Sequence, residues 1–282
     1  MSDLPHHVRD PGDGADRPLD APAPLRYVYV ARSRRSGGLS LGVDLTPQGY
    51  CSFRCVYCQA SHPPLVDPDL TVDTDRLYDE LLRKLQSPEA RDLRDLVVAG
   101  SGEPTCVPNA PDALDAVRRA CDTAAFDRPR RIFTNARHLS QPRVFDALVS
   151  WVQQGGELWV KLDGVTDASV EAINGRQFDV TRHLDNIWRL ARACPIGLQT
   201  MLLRGPSTPD PVRTVPQIAR TIADAVRDGA RIHHVHVITI SRVPSDPHNA
   251  AVLDPIEADE LAAFGRVIAR ATGLPVDTYP AR

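Results

Sequence analysis

The stretch Leu39-Ser40-Leu41-Gly42-Val43-Asp44-Leu45 runs on to Tyr50-Cys51-Ser52-Phe53-Arg54-Cys55-Val56-Tyr57-Cys58, and the reading of the whole chain starts there. The first part is a short apolar run of strand type. The second is a CxxxCxxC spacing in a protein with six cysteines. Three thiolates this close converge on one soft metal centre. Three ligands also leave one corner of a cubane iron–sulfur cluster open, where four cysteines are usual. A Cys3His zinc site that adds His62 fits the same residues. A structural disulfide fits less well, because three clustered cysteines cannot all pair with one another.

Working outward, apolar runs alternate with helical spacing. After the strand at 39–45, a helix is expected over 73–85, with Leu77, Leu81, Leu82 and Leu85 on one face, then a strand over 93–99. Helices follow at 111–121, 142–153, 178–193, 212–228 and 255–272. Strands are expected at 131–134, 158–162, 196–203, 232–240 and 275–279. Gly229 marks a helix stop. About six strand–helix alternations imply an α/β fold with a parallel sheet and right-handed crossovers. Six units make a partial (β/α)6 TIM-like barrel, open rather than closed. In such sheets the chemistry collects at the carboxyl ends of the strands.

The chain of 282 residues is 42% hydrophobic and 24% charged, enough for a sizeable core. A formal net charge of −3 announces no nucleic-acid-binding field. No apolar run approaches the ~20 residues that span a bilayer. Residues 1–24 are polar and rich in Asp, Pro and Gly, without the apolar core of a signal peptide. They read as a disordered arm before one domain over 25–282, with a cytoplasmic location expected. A reducing compartment also suits an oxygen-labile cluster.

Each further motif follows or ends a predicted strand. Gly100-Ser101-Gly102-Glu103-Pro104-Thr105 follows the second. Small residues there let backbone groups approach a ligand, and Glu103 fits as acceptor for an ammonium group. A plain glycine-rich turn with a solvated Glu is the alternative. Thr134-Asn135 ends the third strand, Lys161-Leu162-Asp163-Gly164 the fourth, and Gln199-Thr200 lies in the fifth. Polar residues ending apolar strands suggest a polar cavity mouth, or only turn chemistry at Asn135 and Asp163. His234 and His236 share one face of the sixth strand, as a hydrogen-bonding lining or a metal pair.

The cysteine loop, with Tyr57 before its last cysteine, resembles that of radical S-adenosylmethionine (SAM) enzymes. The likeness implies one [4Fe–4S] cluster on Cys51, Cys55 and Cys58, whose open iron chelates the methionine part of SAM. It implies SAM contacts from Gly100, Ser101, Gly102 and Glu103, with Glu103 at the amine. It puts Tyr57 near the adenine, and gives Asn135, Lys161 and Asp163 to the ribose and carboxylate of SAM or to substrate. An external electron donor of flavodoxin or ferredoxin type would be the partner. The implied activity is reductive cleavage of SAM to a 5′-deoxyadenosyl radical that abstracts hydrogen from an organic substrate.

The stretch from Tyr27 through Arg34 and Arg35 to Asp44 resembles the leading hairpin of one subgroup, the iron–sulfur oxidoreductases related to the tRNA wyosine-base (4-demethylwyosine) synthase. That enzyme carries a second cluster on upstream cysteines, and this chain has no cysteine before Cys51. The substrate class, small molecule or nucleic acid, stays open. Modification of tRNA leans on this likeness and on Arg32, Arg34 and Arg35, which read equally as a solvated face. A zinc-stabilised binding protein is the non-enzymatic alternative. Cys106, just past the glycine-rich segment, is a candidate hydrogen donor to a substrate radical, or a small buried hydrophobe. Cys121 and Cys194 read as core.

Overall fold

The computed structural model describes residues 24–60 and 69–281. The expected arm, apart from Pro24, and the candidate zinc ligand His62 lie outside the described residues. Strands β1 (Val28–Ser33), β2 (Gly38–Val43), β3 (Leu93–Val98), β4 (Arg130–Thr134), β5 (Glu157–Lys161), β6 (Ile196–Met201), β8 (Ile232–Ile238) and β10 (Val276–Tyr279) form one eight-stranded sheet in that order. β1 runs antiparallel to β2 and every other pairing is parallel. Helices α1 (Thr74–Leu85), α2 (Ala110–Thr123), α3 (Pro142–Gln153), α5 (Val180–Ala193), α6 (Pro211–Arg227) and α8 (Ala258–Thr272) make the crossovers. The sheet is a curled half-barrel, as the six alternations imply. Among the described residues no helix is long and apolar enough to cross a membrane.

Side chains alternate across each strand, and the alternation divides the sheet into two chemistries. Leu41, Val43, Leu96, Val98, Ile132, Leu158, Val160, Leu198, Val235 and Val237 pack under the helices against Leu77, Leu81, Val117, Leu148, Ile187 and Ile222, all fully buried. Each such side chain contributes ~1.5–3 kcal/mol. Most intervening positions face the lumen and are polar or aromatic, namely Asp95, Arg131, Phe133, Glu157, Trp159, Lys161, Gln199, His234 and His236, with Val97 as an apolar member of the lining. Gly197, paired with Trp159, makes room for that indole, since a Cβ there would come within 2.5 Å of the ring.

The curl brings the two sheet edges together at one point. Arg34, in the turn between β1 and β2, donates from Nη1 to the carbonyls of Tyr279 (3.5 Å) and Pro280 beyond β10. Arg35 sets its guanidinium 4.3 Å from the Phe133 ring centroid and lines a cavity in the lumen. The hairpin arginines are therefore not all a solvated face: Arg34 clasps the far edge, and Arg35 lines the cavity although it is exposed, as Arg32 is.

Several short elements escaped the sequence. The strand–helix boundary at 255 is shifted, because Asp254–Pro255 (β9) pairs with Leu203–Arg204 (β7) before α8 begins. α7 (Pro247–Val252) and α4 (Asp167–Asn174) are short helices. α4 is capped by Thr166 and Ser169 in a reciprocal box and stops at Gly175, whose φ is +62°.

The cysteine loop rests on a patch where Phe53 stacks on Phe178 at 5.7 Å and His183 meets both rings edge-on. Burial, helped by the nearby Arg137, lowers the His183 pKa from its ordinary 6.5 to about 4. The folded protein thus keeps the ring neutral where the unfolded chain already takes a proton. Stability attributable to His183 is fully present above pH 6.5 and is lost as pH falls from 6.5 towards 4. The loss amounts to ~3 kcal/mol at most. Thermal melts across this window should show a smaller acid loss in His183→Phe than in the parent. Equal slopes would remove His183 from the account.

Candidate functional site

The loop from Tyr50 to Cys58 crosses the carboxyl-end mouth of the half-barrel and is pinned by its backbone. Glu103 N donates to Tyr50 O (3.0 Å), Arg54 N to Asn174 O (2.8 Å), Val56 N to Ile173 O (2.9 Å), and Ser245 N to Cys58 O (2.8 Å). Two of these acceptors are the last carbonyls of α4, which the helix itself leaves unpaired. A Cβ on Gly175 would sit 2.4 Å from Arg54 O, so the glycine that ends α4 also lets the loop lie against it. No disulfide links the six cysteines.

The sulfurs have amide donors. Phe53 N lies 3.4 Å from Cys51 Sγ, Asn135 Nδ2 3.7 Å from the same sulfur, and Asn174 Nδ2 3.3 Å from Cys55 Sγ. Burial, and then Glu103, push the Cys51 thiol up, and burial takes Cys55 to about 11 against the pull of Lys161. A ligand here must shed its proton to the incoming metal, with the amides taking up part of the sulfur charge. Hydrogen bonds to ligand sulfurs are also what tunes a cluster's potential. This donor set fits an iron–sulfur cluster.

Two buried carboxylates brace the mouth. Glu103 is 3% exposed. Its Oε1 accepts from Thr105 N (3.1 Å), Thr105 Oγ1 (2.6 Å) and Thr134 Oγ1 (2.6 Å), and its Oε2 from Asn135 N (2.7 Å). It ties the glycine-rich segment to the end of β4. Asp163 Oδ1 accepts from Met201 N (2.9 Å). Its Oδ2 accepts from Asn174 Nδ2 (2.8 Å) and the Tyr57 hydroxyl, with Lys161 Nζ at 3.5 Å. Asp163 therefore joins β5, β6, α4 and the cysteine loop. Both acids, read from sequence as ligand contacts, have partners within the protein.

The other expected site residues fall into place around them. A Cβ on Gly102 would lie 1.9 Å from Tyr50 O, and one on Gly100 2.1 Å from Asp44 Cγ. These glycines let the segment pass against its neighbours. Ser101 N donates to Asp44 Oδ2 at 2.9 Å. Tyr57 packs against the small apolar cluster of Met201, Leu203, Ile238 and Ile240, with Lys161 Nζ 5.0 Å from its ring centroid. Asn135 is 2% exposed and reaches Ser52 Oγ at 3.0 Å, so it faces the loop at Cys51. Ala136, next in line, is held at φ +61°, a conformation unusual without glycine. Gln199 pairs with Lys161 across β5 and β6, and its buried Nε2 has no hydrogen-bond partner in the protein. A donor left over in the lumen just below the mouth suits a ligand with acceptor atoms.

Cys106 ends the turn Pro104–Cys106, with its sulfur 3.3 Å from His138 Nε2. Burial and Glu103 raise its pKa to about 12, and burial lowers that of His138. A protonated thiol beside a neutral imidazole results. Sequence reasoning missed Asn174 and His138. The pair Asn174-Gly175 carried a helix-stop signal, while nothing local tied His138 to Cys106.

Comparison with known proteins bears on this mouth. The profile described as "Radical SAM superfamily" matches residues 45–215, a span that runs from the cysteine loop through the strand ends to the start of α6. The UPF0026 protein slr1464 of Synechocystis sp. (strain ATCC 27184 / PCC 6803 / Kazusa) is 28% identical over 138 residues. That match covers 49% of this chain and 48% of the relative, so it spans about half the length of each. A solved monomeric dihydrodipicolinate synthase variant aligns with 78% of this chain and 61% of its own at 14% identity, with a TM-score of 0.37, too low a likeness to carry any argument. The superfamily match takes in the cysteine loop, the glycine-rich segment, Asn135, Lys161 and Asp163 over more than half the chain, and by it this protein belongs to the radical SAM superfamily of enzymes.

Proposed function

We propose that the protein is a single-cluster radical SAM enzyme that abstracts hydrogen from an organic substrate held at the carboxyl-end mouth. The observation that carries this reading is the cysteine loop pinned across the mouth, with amide donors at Cys51 and Cys55. A [4Fe–4S] cluster held by Cys51, Cys55 and Cys58 would supply the electron that cleaves SAM to 5′-deoxyadenosyl radical and methionine. The chain's own part is positional. Asn135 and Asn174 support the ligand sulfurs. Glu103 and Asp163 fix the strand ends, with room on Glu103 Oε2 for one further donor such as the SAM ammonium. Gln199 Nε2 and Lys161 are placed to meet the acceptor atoms of SAM or substrate. The Tyr57 ring closes one side of the mouth. Electrons come from an external donor of flavodoxin or ferredoxin type.

The leading hairpin resembles that of the wyosine-base group, whose upstream second-cluster cysteines have no counterpart before Cys51 in this sequence. Modification of tRNA leans on that likeness, while Arg34 is engaged by the carbonyls of Tyr279 and Pro280 and Arg35 by the Phe133 ring. If the reaction is an epimerisation, Cys106, whose sulfur lies 3.3 Å from His138 Nε2, would give its thiol hydrogen to the substrate radical. The thiyl radical left behind is reset by one electron from the external donor and one proton.

Three variants test these roles. Cys55→Ala should lose the cluster's iron and its absorbance, and with them all 5′-deoxyadenosine formation; full iron and cleavage would defeat the ligand assignment. Glu103→Gln keeps shape and removes charge, and SAM affinity should fall about tenfold or more at unchanged circular dichroism. Parental affinity would leave Glu103 a brace alone. With a substrate in hand, Cys106→Ser should still yield 5′-deoxyadenosine but stall before product. Normal turnover would return Cys106 to packing.

A further inference from the structure

The proposed mouth chemistry leaves one constellation unused, on the lumen face nearer the amino ends of the strands. His234 and His236 project from β8, and Asp277, which pairs with His236 in register, projects beside them from β10. One ring nitrogen of each histidine and one carboxylate oxygen of Asp277 lie within 4.8 Å of one another. The three residues edge a cavity of about 670 Å3, which Arg35, Trp159 and Tyr279 also line.

The group has a simpler reading, an aromatic stack with an ion pair at its rim. His236 lies flat on Trp159, with centroids 3.7 Å apart and planes at 19°, and His234 Nε2 is 2.9 Å from Asp277 Oδ2. That reading leaves polar atoms unaccounted for. His236 is 7% exposed, its Nε2 faces the Tyr279 hydroxyl at a long 3.5 Å, and its buried Nδ1 has no hydrogen-bond partner in the protein. His234 Nε2, though close to Asp277, makes no aligned hydrogen bond. A phenylalanine would stack on Trp159 as well and leave nothing orphaned. Buried polar atoms are ordinarily paired, so an unpaired imidazole nitrogen beside a second imidazole and a carboxylate asks for a ligand.

We propose that His234, His236 and Asp277 hold one divalent transition-metal ion, distinct from the cluster, with open coordination positions facing the cavity. Two imidazoles and one carboxylate suit zinc or ferrous iron, and three protein ligands leave places for solvent or an organic ligand. Arg131 is already neutralised by Asp95 and Glu157. Among the described residues that line the cavity, Arg35 is the remaining cation, its guanidinium 4.3 Å from the Phe133 ring centroid. An ion here together with Arg35 favours an anionic partner in its open positions.

The test uses zinc alone on the anaerobically assembled holo-protein, so that the cluster cysteines are already filled. Competition against a chromophoric zinc indicator should give one tight site per chain. X-ray absorption at the zinc edge should show nitrogen and oxygen ligands only. His236→Phe, which keeps the stack on Trp159, and Asp277→Asn should each weaken binding about a hundredfold or more. Both should leave the cluster's absorbance unchanged. Sulfur around the zinc, no tight site in the parent, or undiminished affinity in both variants would overturn the proposal.

Discussion

Two carboxyl groups buried at the rim of the sheet dictate much of what surrounds them. Glu103 and Asp163, 3% and 2% exposed, need hydrogen-bond partners, because a buried carboxyl group left unpaired is among the costliest things a fold can hold. The donors found are Thr105, Thr134 and the Asn135 amide for one, and Tyr57, Asn174 and the Met201 amide for the other. Those partners come from separate strand ends, so satisfying the carboxyl groups also fixes the spacing of β3, β4, β5 and β6 at the mouth. The cysteine loop inherits that geometry through Tyr50, Tyr57 and Asn174.

Much of the architecture was legible in the chain because period and punctuation agreed. The parallel strands are short apolar runs bounded by Gly, Asn or Asp, and the crossover helices carry apolar residues at helical spacing. The cysteine spacing and its place after the first parallel strand were equally plain. What was not legible was local structure too short to show a period. α4 is eight residues long and is defined by its caps, Thr166, Ser169 and Gly175, more than by an apolar face. β7 and β9 are two-residue pairings that only tertiary contact creates.

The site was half legible for a related reason. Residue type announces chemistry but not direction. Glu103 and Asp163 read as ligand contacts, and the fold gives each a set of protein donors. Gly102 reads as room for a ligand, and the structure fills that room with Tyr50 O. His234 and His236 were visible as a pair on one strand, but Asp277 lies some forty residues away and joins them only because β10 docks in parallel register beside β8.

The clasp from Arg34 to the carbonyls beyond β10 joins residues 245 and 246 positions apart. A contact of such long range carries a large loop-closure cost and rewards the chain only after its intermediates have formed. The hairpin of β1 and β2 is local, whereas its outer partner is the final strand to join the sheet. Closure of the lumen thus brings together two ends of the sheet that are far apart in sequence. Until β10 docks, the inward-facing polar and aromatic side chains stand open to solvent, and the lined interior comes into being as one cooperative step.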